Sequence, residues 1–242
     1  MREKREVCPL QSVVISAPWK VVVTSTAQRQ LLCKDESDRM TRFVRTIDAD
    51  RFCAAHSLVR LALSAITGKP PASLEFSCHP GGKPYLKGAD GVDFNLSHSG
   101  DWVTVGICRP GAIGVDLEEV RPEGFWRDIA SSFMTPAEIE RIPSDIDAWH
   151  FLRMWTAKEA AVKATGHGFA IPPNEISIGW HGGKPVATIA GRRLSGHLEP
   201  LDATHLLAVM TDQDDAPSLM IARDQAGLLS ALAALRGQSV SL

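Results

Sequence analysis

The sequence predicts an α+β fold of two similar halves related by pseudo-twofold symmetry, residues 1–112 and 113–242, with one functional site in the cleft between them. Three observations predict it. An ordered series of short matches occurs twice: Thr67-Gly68, Pro70-Pro71, Glu75-Phe-Ser77 and Gly81-Gly-Lys-Pro84 return as Thr165-Gly166, Pro172-Pro173, Glu175-Ile-Ser177 and Gly182-Gly-Lys-Pro185. A run with helical apolar spacing precedes each Thr-Gly pair, and glycine there is a helix stop. Short extended segments surround both helical runs.

The elements follow in order. Residues 13–23 read as a strand broken by Pro18. Residues 51–66 read as a helix, with Leu58, Leu61, Ala62, Ala65 and Ile66 at helical spacing. Segments 92–96 and 103–107 read as a hairpin around the polar turn Ser97-His-Ser-Gly-Asp101. Residues 131–142 read as a short helix opened by Thr135-Pro-Ala-Glu138, a capping-box pattern with proline in the first turn. Residues 147–165 form the long second helix. A strand over 205–210, a loop over 212–218 and an amphipathic helix over 225–235 complete the chain.

Composition excludes several classes. With 44% hydrophobic and 22% charged residues, the chain has the make-up of an ordinary globular protein. A net charge of −2 gives no basis for nucleic-acid binding, so an anionic ligand needs a local basic cluster. Five scattered cysteines without Cys-x-x-Cys spacing argue for reduced thiols and a cytoplasmic setting. The charged start Met1-Arg-Glu-Lys-Arg-Glu lacks an apolar signal region, and no apolar stretch approaches the roughly 20 residues of a membrane span.

The chemistry concentrates in two stretches. In Gly114-Val-Asp-Leu-Glu118, Asp116 and Glu118 alternate with apolar residues, so both carboxylates leave one side of a strand. In Trp155-Thr-Ala-Lys-Glu-Ala-Ala-Val-Lys163, Glu159 and Lys163 are neighbours one helical turn apart. Three carboxylates suit magnesium, a hard cation completed by substrate phosphates, and a lysine beside them suits a phosphate. The bland alternatives are a solvated strand end and a surface i,i+4 pair worth about 0.3–0.5 kcal/mol. The repeat separates these readings: the first half has Leu61 and Ala65 where the second has Glu159 and Lys163, so one site is expected. Arg42, Arg45 and Arg51 form a basic stretch, and arginine's planar fork suits phosphate. Lys83 and Lys184 occupy the repeated turn. Ser97 and Ser99 could bond the local backbone of the turn, or Ser97 and His98 could receive a phosphate, and His98 would make that reception pH-sensitive. Lys158 reads as a second basic contact or a solvated side chain.

Four motifs in order, Phe94-Asn-Leu-Ser-His-Ser-Gly100, Ile113-Gly-Val-Asp-Leu-Glu118, Phe133-Met-Thr-Pro-Ala-Glu138 and Trp155-Thr-Ala-Lys-Glu-Ala-Ala-Val-Lys163, resemble the 4′-phosphopantetheinyl transferases, in particular the larger, surfactin-type group with two similar halves. The motifs cover roughly residues 75–180. The resemblance implies transfer of 4′-phosphopantetheine from coenzyme A to a serine of an apo acyl, polyketide or peptidyl carrier protein, with release of adenosine 3′,5′-bisphosphate. It implies Asp116, Glu118 and Glu159 as ligands of Mg2+, Lys163 on the diphosphate, and Glu159 and Lys163 as the catalytic pair. It implies coenzyme A contacts from Arg51, Lys83, Ser97 and His98, and leaves Glu138 without a definite role. Duplicated halves imply a monomer. A Mg2+-dependent hydrolase of nucleotide diphosphates and a non-catalytic coenzyme A or carrier-binding module are the alternatives.

Overall fold

Side-chain alternation along four strands builds two sheets back to back, each with a helix on its outer face. The computed structural model describes residues 10–23, 26–142, 146–168 and 171–236. The charged stretch 1–6 lies outside them. No helix among the described residues is long and apolar enough to cross a membrane.

The first half opens with β1 (Leu10–Pro18), which Pro18 ends; the chain then turns into the short helix α1 (Trp19–Val22) instead of resuming as strand. Next come α2 (Lys34–Met40), α3 (Thr46–Thr67), the small hairpin β2 (Phe76–Cys78) and β3 (Pro84–Leu86), then β4 (Asp93–Ser99) and β5 (Trp102–Arg109). The second half runs through β6 (Ile113–Glu119), α4 (Glu123–Phe133), α5 (Pro136–Glu140), α6 (Ala148–Thr165), β7 (Gly179–His181), β8 (Lys184–Ile189), β9 (Arg192–Pro200) and β10 (His205–Thr211). The chain closes with β11 (Ser218–Ile221) and α7 (Gln225–Arg236).

The first sheet has the order β11-β1-β5-β4 and the second β6-β10-β9-β8-β7. Val13 and Ile15 of β1 and Val103, Val105 and Ile107 of β5 pack with α3 and α7. Their alternates Val14, Trp102 and Cys108 meet Ile113, Val115, Leu117, Leu207 and Val209 of the second sheet. The other face of β10, Leu206, Ala208 and Met210, packs with α6 and α4. Period-two alternation thus yields helix, sheet, sheet, helix. The intervening residues of β6, Gly114, Asp116 and Glu118, face α6.

The repeated series appears as the same order of elements in each half. α3 ends at Gly68 (φ 70°) and α6 at Gly166 (φ 71°), both left-handed. A 3-10 turn opened by Pro71 or Pro173 follows, then a small hairpin.

Three expectations need correction. The boundary 113–242 fails at its end: β11 pairs parallel with β1, and Ala222, Leu228, Ala231 and Leu235 join the core of the first half. The Ser97–Asp101 turn is shorter. β4 continues through Ser97, His98 and Ser99, paired as far as Ser99 with Trp102, so only Gly100 and Asp101 turn. The helix expected over 131–142 is instead the last turn of α4, whose start at Glu123 the spacing did not reveal, followed by the separate α5.

Candidate active site

β4 and β6 are the facing edges of the two sheets, and side chains join them. Ile113 N–H donates to Asp93 Oδ2 (2.8 Å), Val115 N–H to Asn95 Oδ1 (2.9 Å), Leu117 N–H to Ser97 Oγ (3.2 Å) and Glu119 N–H to Ser99 Oγ (3.1 Å). Each rung links residues 20 apart, so the strands run parallel across this seam. Backbone groups of an exposed edge need partners; here alternate polar side chains of β4 supply them.

Helix α6 closes the seam from one side. It touches β6 at Gly114, where a Cβ would lie 1.9 Å from the Ala160 carbonyl oxygen. That contact sets the row Trp155, Glu159, Lys163, each one turn from the next, over the acids of β6. The Lys163 ammonium lies 2.6 Å from Asp116 Oδ1 and 3.3 Å from Ser97 Oγ. Trp155 Nε1 donates to Glu118 Oε1 (3.0 Å), and Ser99 Oγ donates to Glu118 Oε2 (3.4 Å). Glu159 makes no hydrogen bond or ion pair among the described residues.

The electrostatics show excess negative charge. Burial, then repulsion from Asp116, push Glu118 up to about 7, against the Trp155 hydrogen bond and Lys163. Burial and then Asp116 also raise Glu159, with Lys163 opposing. Burial disfavours the Lys163 ammonium, but the field and hydrogen bond of Asp116, with Glu159 and Glu118, hold its pKa above the ordinary lysine value. Asp116 is 3% exposed, and its Oδ2 is buried without a partner.

Lys163 thus contacts Asp116, and Glu118 and Glu159 lie within the field of Asp116. Among the described residues, however, no three His, Cys, Asp or Glu side chains gather at metal-binding spacing. Lys163 neutralises Asp116, while Trp155 and Ser99 hold Glu118. The orphaned Asp116 oxygen, the two raised glutamates and the oxygen-only donor set fit a hard divalent cation in charge and chemistry.

His98 sits next along β4. Desolvation, then the positive charges of Lys163, His56 and Arg51, hold it below the ordinary histidine value. Arg51 Nη1 is 3.8 Å from Asp48 and Nη2 3.9 Å from Asp101, in the turn after β4. Arg51 Nε is buried without a partner.

Two expected ligand contacts are corrected. Ser97 is buried, and its Oγ is taken by Leu117 N–H, Lys163 and Asp116, which leaves it no free lone pair or proton for a phosphate. Lys83 is a clasp: its ammonium donates to Asp93 and to the carbonyls of Ile113 and Ala164, using all three N–H bonds to tie its loop to both halves. Its repeat counterpart Lys184 is exposed on β8.

Lys158 is neither solvated nor a ligand contact. It is fully buried and donates to Glu138 Oε2 (2.6 Å) and to the Pro173 carbonyl (3.1 Å). Glu138 also receives Thr135 N–H and Ile178 N–H, so it is a structural acid that closes the capping box of α5. Sequence reasoning missed Asp93, Asn95 and the Trp155 indole, and it gave Ser99 the backbone of its own turn where the structure gives it the Glu119 N–H of the other sheet. The signal was present as Asp93-x-Asn95-x-Ser97-x-Ser99, polar residues at strand period.

Comparison with known proteins agrees with the motif resemblance. Residues 112–210 match the family described as the 4′-phosphopantetheinyl transferase superfamily, and residues 18–108 match 4′-phosphopantetheinyl transferase, N-terminal. A Bacillus subtilis 4′-phosphopantetheinyl transferase is 32% identical over 152 residues, 60% of this chain and 64% of the relative. The L-aminoadipate-semialdehyde dehydrogenase-phosphopantetheinyl transferase of Schizosaccharomyces pombe is 30% identical over 67% of this chain and 70% of its own. A Thraustochytrium phosphopantetheinyl transferase is 30% identical over 78% and 74%. The chain spans 61–64% of the length of three bacterial relatives that it matches.

Proposed function

This chain belongs to the 4′-phosphopantetheinyl transferase superfamily, and we propose that it transfers the 4′-phosphopantetheine arm of coenzyme A to a serine of an apo carrier protein and releases adenosine 3′,5′-bisphosphate. The observation that carries this reading is the Lys163 ammonium on Asp116, flanked by two glutamates of raised pKa at the seam between the halves. A polyanionic diphosphate needs positive charge at that place.

In the reaction the serine oxygen bonds to the phosphorus that carries the arm, and the bond from that phosphorus to the bridging oxygen breaks. A serine hydroxyl is a weak nucleophile until a base takes its proton. Glu159, which makes no hydrogen bond among the described residues and whose carboxyl burial and Asp116 raise, accepts it. Lys163 binds the diphosphate and balances charge gathering on the leaving phosphate. His98 and Arg51 face the nucleotide phosphates. Asp116, Glu118 and Glu159 would hold Mg2+, which when bound supplies Lewis-acid stabilisation of the diphosphate worth several kcal/mol. Acyl, polyketide or peptidyl carriers are the partners, and a monomer suffices because one chain supplies both sides of the site.

Mass spectrometry of apo acyl, polyketide and peptidyl carriers incubated with the protein, coenzyme A and Mg2+ tests the reading. A gain of one phosphopantetheine arm on the carrier serine is expected. Release of adenosine 3′,5′-bisphosphate without any carrier would overturn it in favour of hydrolysis.

A further inference from the structure

The seam between β4 and β6 leaves one donor unspent. Of its four rungs, Ser97 and Ser99 spend their hydroxyl protons on Asp116 and Glu118, and Asp93 is an acceptor. Asn95 differs. Its Oδ1 accepts Val115 N–H at 2.9 Å, which fixes the orientation of the amide and leaves Nδ2 on the opposite branch. That Nδ2 makes no hydrogen bond among the described residues, and it is not one of their buried unpartnered atoms, so it reaches solvent although Asn95 is only 7% exposed.

Asn95 lines a cavity of about 240 Å³ whose wall also includes Glu159, Lys163, Lys83, Val162 and Ile171. Lys83 has no N–H to spare there, and Lys163, with one N–H left beyond Asp116 and Ser97, is a charged donor. The amide of Asn95 is thus an oriented, uncommitted neutral donor in the cavity that holds the glutamate and lysine of the reaction. We propose that Asn95 is a substrate-binding residue whose Nδ2 donates to an acceptor atom of coenzyme A in this cavity. The proposal rests on the transfer reading. It adds a specificity contact: a neutral donor recognises a carbonyl, ring or phosphate acceptor without adding charge beside Glu159.

Asn95→Ser separates this contact from the seam. A serine hydroxyl can take the Val115 amide, as Ser97 and Ser99 take theirs at 3.2 and 3.1 Å, but it offers no second donor. Asn95→Val removes both functions. Isothermal titration calorimetry with coenzyme A is expected to show affinity weaker by roughly 3- to 10-fold for Asn95→Ser, the range of one neutral hydrogen bond. Its Tm without ligand should equal that of the unsubstituted protein, whereas Asn95→Val should lose both affinity and Tm. Adenosine 3′,5′-bisphosphate in a parallel titration locates the contact: an equal loss places it on the nucleotide, no loss places it on the pantetheine arm. Unchanged coenzyme A affinity in Asn95→Ser overturns the proposal. So does a loss accompanied by the Tm drop of Asn95→Val, which would leave Asn95 a seam residue only. Failure of the unsubstituted protein to bind coenzyme A is a different result, and it removes the transfer reading itself.

Discussion

Arg60 of α3 and Lys158 of α6 occupy equivalent posts in the two halves. Both are fully buried, and each donates to a carboxylate in the first turn of a short helix: Arg60 Nε to Glu36 Oε2 at 2.8 Å, Lys158 Nζ to Glu138 Oε2 at 2.6 Å. Each also donates to the carbonyl of the proline that opens the following 3-10 turn, Pro71 at 2.8 Å and Pro173 at 3.1 Å. The carboxylates match too, since each accepts the backbone N–H three residues before it, from Cys33 and from Thr135. The repeat is therefore expressed as a buried cation that pins a short helix and a turn to the long helix. Removing one partner of such a pair leaves a buried charge uncompensated. Lys158→Ala should cost about 3 kcal/mol, a fall in Tm of about 6–12 °C for a chain of this size. Calorimetry checks it; a change below about 1 kcal/mol would mean that water replaces the ammonium.

The Glu36 clasp also predicts acid sensitivity. Burial alone would raise Glu36, but hydrogen bonds from His56, Arg60 and the Cys33 N–H outweigh it and lower the carboxyl to about 2. A depressed carboxylate contributes stability above its unfolded value of about 4.3, and loses that contribution as pH falls towards the folded value. The shift corresponds to about 3 kcal/mol. Urea unfolding at pH 5, 4 and 3 should show the loss, and Glu36→Gln should be less stable at pH 5 with a flatter profile below it. Parallel profiles for both proteins would remove Glu36 as the source.

Glu159→Gln keeps size and burial but cannot accept a proton. Transfer to a carrier serine should fall by roughly 100-fold or more, about 2.7 kcal/mol. Because the charged form of Glu159 is disfavoured by burial and by Asp116, the variant should be no less stable than the parent. Near-parental transfer by a folded Glu159→Gln protein would take Glu159 out of the mechanism.

What the sequence made legible follows from how local each signal is. The helices α3 and α6 announced themselves through apolar spacing and a closing glycine, and Asp116 and Glu118 through strand alternation. All are features of a few contiguous residues. β4 was cut short at Leu96 because its polar residues resemble a turn; they are polar because they bond the backbone of another sheet, a demand made from outside the strand. The return of β11 to β1 is a parallel pairing across most of the chain, and no local pattern encodes it. Gly124 within α4 weakened its helical signal. Lys83 was read as a ligand contact because a lysine in a glycine-rich turn looks exposed, yet the turn folds inward onto Asp93 and α6.

Glu118 predicts how pH and a divalent cation act together. Its carboxyl lies at about 7 in the fold, first through burial and then through Asp116. A raised carboxyl contributes stability below its unfolded value of about 4.3, and that contribution disappears as pH rises through about 7. A bound cation favours the ionised form. The Tm gain from added Mg2+ should therefore be larger at pH 8 than at pH 6, and Glu118→Gln should remove most of that difference. Equal gains at both pH values in the parent protein would count against Glu118 as a ligand.

Gly114 sets how closely α6 lies on β6, and through that the reach of Lys163. A Cβ at this position would lie 1.9 Å from the Ala160 carbonyl oxygen and 2.3 Å from the Ala164 amide nitrogen. Both are backbone atoms of α6, so the side chain cannot be relieved by a rotamer change; the last turns of the helix must move off the strand. Overpacking of this kind costs typically about 1–3 kcal/mol. The motion would also lengthen the 2.6 Å contact between Lys163 and Asp116 and open the cleft that holds Glu159. Gly114→Ala should therefore lower Tm and depress kcat/KM together, with transfer falling by more than 10-fold even well below the new Tm. Lys163→Met in the same assay separates the two effects, because it removes the ammonium without displacing the helix. A Gly114→Ala protein with parental Tm and parental transfer would show that α6 does not need its contact with β6.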